Sequence, residues 1–164
     1  MISAIDTNVL LDILIPNTKY VGQSLESVSK AGEEGSLIIS EIVYAELSSQ
    51  FLKEESLKRF LSEATIQLVT SDELSLWEAG CAWREYIRRR HKEVACPACG
   101  KSVPFSCPHC GRPIYPRQHL ISDFLIGAHA KVFADRLITR DRGFYRRYFK
   151  GLKIADPTRM RIHR

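Results

Sequence analysis

The sequence predicts an α/β protein, a three-layer α/β/α sandwich around a central parallel sheet, on three observations. Short apolar runs alternate with longer stretches of helical periodicity, the pattern of strands joined by crossover helices. Acidic residues stand just past the ends of these runs, at the strand ends where parallel sheets bind ligands. The chain has 164 residues with 45% apolar and 26% charged content, enough to build one globular core.

Residues 2–5 read as a buried strand, with Thr7 as N-cap of a short helix over 8–14 that Pro16 stops. Residues 20–34 read as a helix ended by Gly35, followed by a strand over 36–39. Ser40 is expected to cap a helix over 41–52 whose core stripe is Val43, Leu47 and Phe51, with Glu46 beside that stripe. A helix over 56–64 leads to a strand over 66–69 and a long helix from 72 to about 91. After an interruption, residues 118–132 form a helix with Ile121, Phe124, Leu125, Ala128 and Val132 on one face. A strand over 137–139, a helical turn after Asp141 and a terminal strand over 152–154 complete the alternation.

Four acids mark this pattern: Asp6 in ISAIDTNVLLDIL, Glu46 in SEIVYAELSSQF, Asp123 in LISDFLIGAHA and Asp141 in RLITRDRGFYRRYF. A carboxylate at the end of a buried strand or on the rim of a core helix is desolvated, and a cation relieves that cost. Converging from distant segments, the four are expected to form a divalent-metal pocket. Asp12, Asp135 and Asp156 are expected to be ordinary. His119, one helical turn before Asp123, is expected at the surface, and Cys81 as a small core residue.

Net charge is +5, and its distribution is uneven. Residues 1–83 hold 5 basic and 13 acidic residues, a net of −8, while residues 84–164 hold 19 basic and 6 acidic, a net of +13. A basic half beside an acidic pocket suits a nuclease, with Arg88, Arg89, Arg112, Arg117, Arg140 and Arg142 as candidate phosphate contacts. No apolar stretch approaches the roughly 20 residues that span a bilayer, and Asp6 and Asp12 interrupt the first apolar run, which fits no leader peptide. A cytoplasmic location is the expectation.

The interruption reads CPACGKSVPFSCPHCG over residues 96–111, two Cys-Pro-x-Cys-Gly knuckles. Cys96, Cys99, Cys107 and Cys110 supply four thiolates from two tight turns, the tetrahedral set for structural Zn²⁺. Disulfides are disfavoured in a reducing compartment; an iron centre is the other metal that four thiolates suit. His109 is expected to be exposed. The domain division that follows is 1–93 with 118–164 as one unit and 94–117 as an inserted zinc ribbon.

Taken together, IDTNVLLDIL, SEIVYAEL, ISDFLIGAHA and LITRDRGFYRRYF resemble the ordered motifs of PIN-domain nucleases, particularly VapC-type toxins of toxin-antitoxin pairs. The likeness runs over nearly the whole chain apart from residues 94–117. It implies that Asp6, Glu46, Asp123 and Asp141 hold Mg²⁺ or Mn²⁺, and that Asn8 and Thr139 support the site by hydrogen bonding. It also implies metal-assisted hydrolysis of RNA, a homodimer and an antitoxin partner. The inserted knuckles depart from the compact toxins and resemble ribbons carried by PIN-type nucleases of ribosome maturation, so an RNA-processing nuclease is the alternative role. A catalytically inactive zinc-ribbon module that binds RNA is a second alternative, although it has no need of four acids. A phosphatase of the haloacid dehalogenase type requires a second Asp two residues after the first, where this chain has Asn8.

Overall fold

A computed structural model describes residues 1–15, 18–89, 93–95, 101–104, 106–112 and 119–159. Five parallel strands form the central sheet in the order β3-β2-β1-β6-β7, flanked by helices. They are β1 (Ile2–Ile5), β2 (Ser36–Ile39), β3 (Ile66–Leu68), β6 (Arg136–Ile138) and β7 (Ile154–Ala155). The intervening helices are α1 (Thr7–Leu14), α2 (Val21–Glu34), α3 (Glu41–Ser48), α4 (Glu54–Glu63), α5 (Glu73–Arg89), α6 (Ile121–Phe133) and α7 (Arg142–Tyr148). A separate antiparallel pair, β4 (Glu93–Ala95) with β5 (Ser102–Pro104), starts one residue before the expected insertion and, among the described residues, forms its own two-stranded sheet. Among the described residues no helix is long and apolar enough to cross a membrane.

From β1 the strand order runs one way through β2 and β3 and the other way through β6 and β7. The order reverses between β1 and β6, and a crevice opens beyond their carboxyl ends, as at the switch points of open α/β sheets. Asp6 follows β1 and Asp141 lies three residues past β6, so the topology alone brings these two acids together.

The core forms where the apolar stripes predict, with informative departures. In α5 the buried residues Ser75, Ala79, Ala82 and Tyr86 make one helical stripe. Cys81 falls off that stripe; it is half-exposed, with Arg84 Nη2 at 3.6 Å from its sulfur, and is not the core residue expected. Helix α6 contacts both β1 and α5, so a single stripe undercounts its burial. Ile126, Gly127, His129 and Ala130 are buried alongside Phe124 and Ala128, whereas Ile121 at the first turn is exposed. His129 Nε2 meets the Val69 carbonyl at 2.8 Å, which satisfies the ring in the interior. Gly127 has a packing reason: a Cβ there would lie 2.3 Å from the Phe149 ring, so only glycine lets the end of α7 close against α6.

Helix α3 ends at Ser48, short of the expected 52. The hydroxyls of Ser48 and Ser49 donate back to the carbonyls of Tyr44 and Glu46, an alternative to continued helix. The cap of α1 is also one residue earlier than expected. Asp6 takes the N-cap position, and its carboxylate makes no capping bond because it is engaged elsewhere. Ser40 does cap α3, accepting from Val43 N at 3.3 Å.

Candidate active site

All four acids line one cleft of about 260 Å³, together with Thr7, Asn8, Leu11, Ile126 and Tyr145. Each arrives on a different element. Asp6 follows β1 as the N-cap of α1, Glu46 comes from α3, Asp123 from the first turn of α6, and Asp141 is the N-cap of α7.

Asp6 is the buried member, 5% exposed. Its Oδ2 accepts from the Thr139 hydroxyl at 2.6 Å and from the Asn8 amide. The Tyr145 hydroxyl, also buried, donates to the same carboxylate. Burial nevertheless pushes its pKa up to about 6, against the pull of Thr139 and with the negative fields of Asp123 and Glu46 adding to the rise. The site holds a carboxylate whose charge the protein alone does not neutralise.

The other three acids are tied by protein donors. Thr7 Oγ1 donates to Glu46 Oε2. Leu120 N donates to Asp123 Oδ2 at 2.8 Å, with His119 Nδ1 at 3.7 Å from that oxygen. Asp141 Oδ1 accepts from Phe144 N at 3.1 Å, while Asp141 N donates to Thr139 Oγ1 at 3.0 Å. Among the described residues, no group of three or more His, Cys, Asp or Glu is arranged to hold a metal ion as the structure stands. The donor set is all oxygen, which suits a hard cation, and Mg²⁺ keeps several waters and takes only one or two carboxylates. Asp6, buried and with its pKa raised to about 6, is the structural feature whose chemistry fits such an ion.

Asn8 and Thr139 both lie against Asp6. Asn8 Nδ2 donates to Thr139 Oγ1 at 3.1 Å as well as to Asp6, linking α1 to the end of β6. Sequence reasoning missed Thr7 and Tyr145. Tyr145 lies four residues after Asp141, one turn along α7, and that spacing was its only signal. Asp12 is a correction: it is 4% exposed and paired with Arg140, not an ordinary surface acid. Asp135 accepts from Ile2 N at 2.7 Å, and Asp156, itself buried, accepts from Thr158 N at 2.9 Å beside a 3-10 turn. His119 is half-buried and stacks on Phe144 with centroids 4.2 Å apart.

Among the candidate phosphate contacts, Arg88 and Arg112 are exposed, and Arg89, also exposed, pairs with Glu85 at 2.9 Å. Arg140 faces Asp12. Arg117 and the side chain of Arg142 lie outside the described residues, as do Cys96 and Cys99. The second knuckle is described. Gly111, at φ +69°, donates its N–H to the Cys107 carbonyl at 2.8 Å, and Cys107 N donates to Arg112 O at 2.9 Å. Backbone N–H groups of Cys110 and His109 are directed at the Cys107 sulfur and lower its pKa, which favours the thiolate. His109 is exposed, as expected.

Solved structures share this fold. The chain is similar to VapBC2 from Rickettsia felis bound to a DNA fragment, with TM-score 0.61, 19% identity and coverage of 95% of this chain and 98% of that one. It is also similar to VapBC-1 from nontypeable Haemophilus influenzae, with TM-score 0.60, 20% identity and coverage of 96% and 99%. FitAcB from Neisseria gonorrhoeae aligns with TM-score 0.54, 20% identity and coverage of 98% and 100%. No curated protein matches the sequence. The family model for the PIN domain matches residues 4–150, from the strand that delivers Asp6 to just beyond the helix that Asp141 caps, and the chain belongs to that family.

Proposed function

We propose that this chain is a Mg²⁺- or Mn²⁺-dependent endoribonuclease acting as the toxin of a toxin-antitoxin pair. The observation that carries the reading is the convergence of Asp6, Glu46, Asp123 and Asp141 on one cleft at the sheet's switch point, with Asp6 held at a pKa of about 6. When bound, the cation supplies an activated water and neutralises charge on the phosphoryl oxygens. The chain's own residues do the remaining work. Asp6, fixed by Thr139, Asn8 and Tyr145 at the buried end of the cleft, would hold the ion. Glu46, Asp123 and Asp141 line the cleft around it, and the basic half of the chain attracts the phosphate backbone.

Resemblance to VapBC and FitAcB structures supports an antitoxin as protein partner. A groove of about 540 Å³ lined by Leu10, Leu25, Val28, Phe60 and Ile66 suits an amphipathic partner segment. Leu74 and Trp77, 57% and 67% exposed on α5, suit contact with a second copy in a homodimer. For residues 94–117 we keep the inserted zinc ribbon, supported by the β4–β5 pair and the thiolate-favouring turn at Cys107.

The test is cleavage of single-stranded RNA with Mg²⁺, Mn²⁺ or EDTA. Asp6→Asn and Asp123→Asn should each lose nearly all activity while remaining folded. The products should carry 5′-phosphate and 3′-hydroxyl ends, because water is the nucleophile. Full activity in EDTA or in both variants, or 2′,3′-cyclic phosphate products, overturns the reading.

A further inference from the structure

Asp12 lies outside the acidic cleft, yet it is 4% exposed, and nothing in the chemistry proposed above uses it. Its partners come from distant segments. Ser24 Oγ on α2 donates to its Oδ2 at 2.8 Å, and Arg140 Nε lies 2.9 Å from the same oxygen. The Arg140 Nε–H is not directed at that oxygen, so charge attraction holds the pair, in surroundings that screen it weakly. The guanidinium carbon also sits 4.5 Å over the Tyr20 ring, and Nη2 reaches the Asn8 carbonyl at 3.5 Å.

Arg140 stands between Thr139 and Asp141, and its main-chain N donates to Asn8 Oδ1 at 3.2 Å. That bond sets the Asn8 amide one way round. With its oxygen toward Arg140 N, its NH₂ faces Asp6 Oδ2 and Thr139 Oγ1. Reversed, it would turn an oxygen lone pair on the Asp6 carboxylate, which accepts and cannot donate. Thr139 Oγ1 in turn donates to Asp6 and accepts from Asp141 N. A continuous set of contacts therefore runs from Asp12 through Arg140 to Asn8, Asp6 and the backbone of Asp141.

We infer that Asp12 and Arg140 are positioning residues: the ion pair between buried Asp12 and half-buried Arg140 pins the 139–141 loop against α1 and so orients Asn8, Asp6 and Asp141 for a divalent cation. The inference rests on the metal-dependent reading above. It gives Arg140 a different task from the phosphate contact that its place in the basic half predicts. An ion pair suits the task because a charged pair has one favourable arrangement where an apolar contact tolerates several.

The test uses the full chain and Mn²⁺ alone, titrated calorimetrically, with thermal melting and RNA cleavage run in parallel. Replacing both partners at once, Asp12→Leu with Arg140→Leu, avoids stranding a buried charge and should leave the melting temperature close to wild type. Mn²⁺ affinity should fall roughly tenfold or more, the range for lost outer-shell partners. The turnover rate kcat should fall with it while KM for RNA holds. Arg140→Lys, which keeps the charge but not the planar contact with Tyr20, should fall between the two, and it carries the test alone should the double variant not fold. A folded variant that binds Mn²⁺ like wild type overturns the inference. So does a raised KM with unchanged kcat and Mn²⁺ affinity, which would make Arg140 an RNA contact. A wild-type protein that binds no Mn²⁺ removes the metal reading, and this one with it.

Discussion

Removing the charge of Asp6 should stabilise the metal-free protein. Its pKa is raised from 3.8 to about 6, so at neutral pH the fold contains an ionised group it would rather hold protonated. Two pH units correspond to about 3 kcal/mol at about 1.4 kcal/mol per unit. The sign is that of a group whose folded pKa exceeds its unfolded one. The native state binds the extra proton, so Asp6 favours folding below pH 3.8, and that contribution is lost as the pH rises through about 6. Asp6→Asn mimics the protonated acid and still offers an oxygen to Thr139. At pH 7.5 in EDTA it should gain up to about 3 kcal/mol, or roughly 6–12 °C in Tm for a domain of this size. Near pH 3.5 the two proteins should melt together. Adding Mn²⁺ at pH 7.5 should raise the wild-type Tm and barely move the variant. Scanning calorimetry across that pH range, with and without metal, reads all three outcomes. A variant that melts at or below wild type at pH 7.5 in EDTA would refute the view that Asp6 carries uncompensated charge.

Cys107→Ser with Cys110→Ser should remove one equivalent of zinc per chain by elemental analysis while the melting of the five-stranded sheet domain is retained; loss of both together would tie the ribbon to the main fold. Thr65 is the one non-glycine with positive φ among the described residues, at 54° and β-branched. Thr65→Asn should therefore stabilise by about 1 kcal/mol in urea denaturation, and a loss of stability would show that its side chain contributes more than its backbone costs. Light scattering at tens of micromolar should give a dimer that Trp77→Glu shifts toward monomer, and a wild-type monomer would remove the second-copy reading of the α5 face.

Most of the sheet was legible because its signals are local. Gly35 ends α2 and Ser40 caps α3 where the residue types demand. The four acids were legible for the same reason, since each follows or faces an apolar run that had to be buried. What escaped was set by pairs distant in sequence. Asp12 and Arg140 are separated by more than a hundred residues, and neither shows alone whether it faces water or the other. Thr7 reads as a helix cap by residue type, but its hydroxyl meets Glu46 because α1 and α3 come into contact. Burial of His129 followed from α6 being covered on two sides, which periodicity in one sequence does not report.

The cleft sets two demands against each other, and the hydrogen bonds show how the fold divides them. Four like charges near one another favour proton uptake or partial unfolding, yet a cation site requires them ionised and close. Glu46, Asp123 and Asp141 each have an oxygen engaged by a donor of the protein, from Thr7, Leu120 N and Phe144 N. Asp6 accepts from Thr139, Asn8 and Tyr145, and burial still outweighs the pull of these donors. If hydrogen bonding were enough to settle the charge, Asp6 would lie below the ordinary carboxylate value, as acids with several donors do. It lies above, so the donors orient the carboxylate without neutralising it. A divalent ion in contact with Asp6 would supply the missing positive charge, which makes metal affinity and metal-free instability two readings of the same buried group.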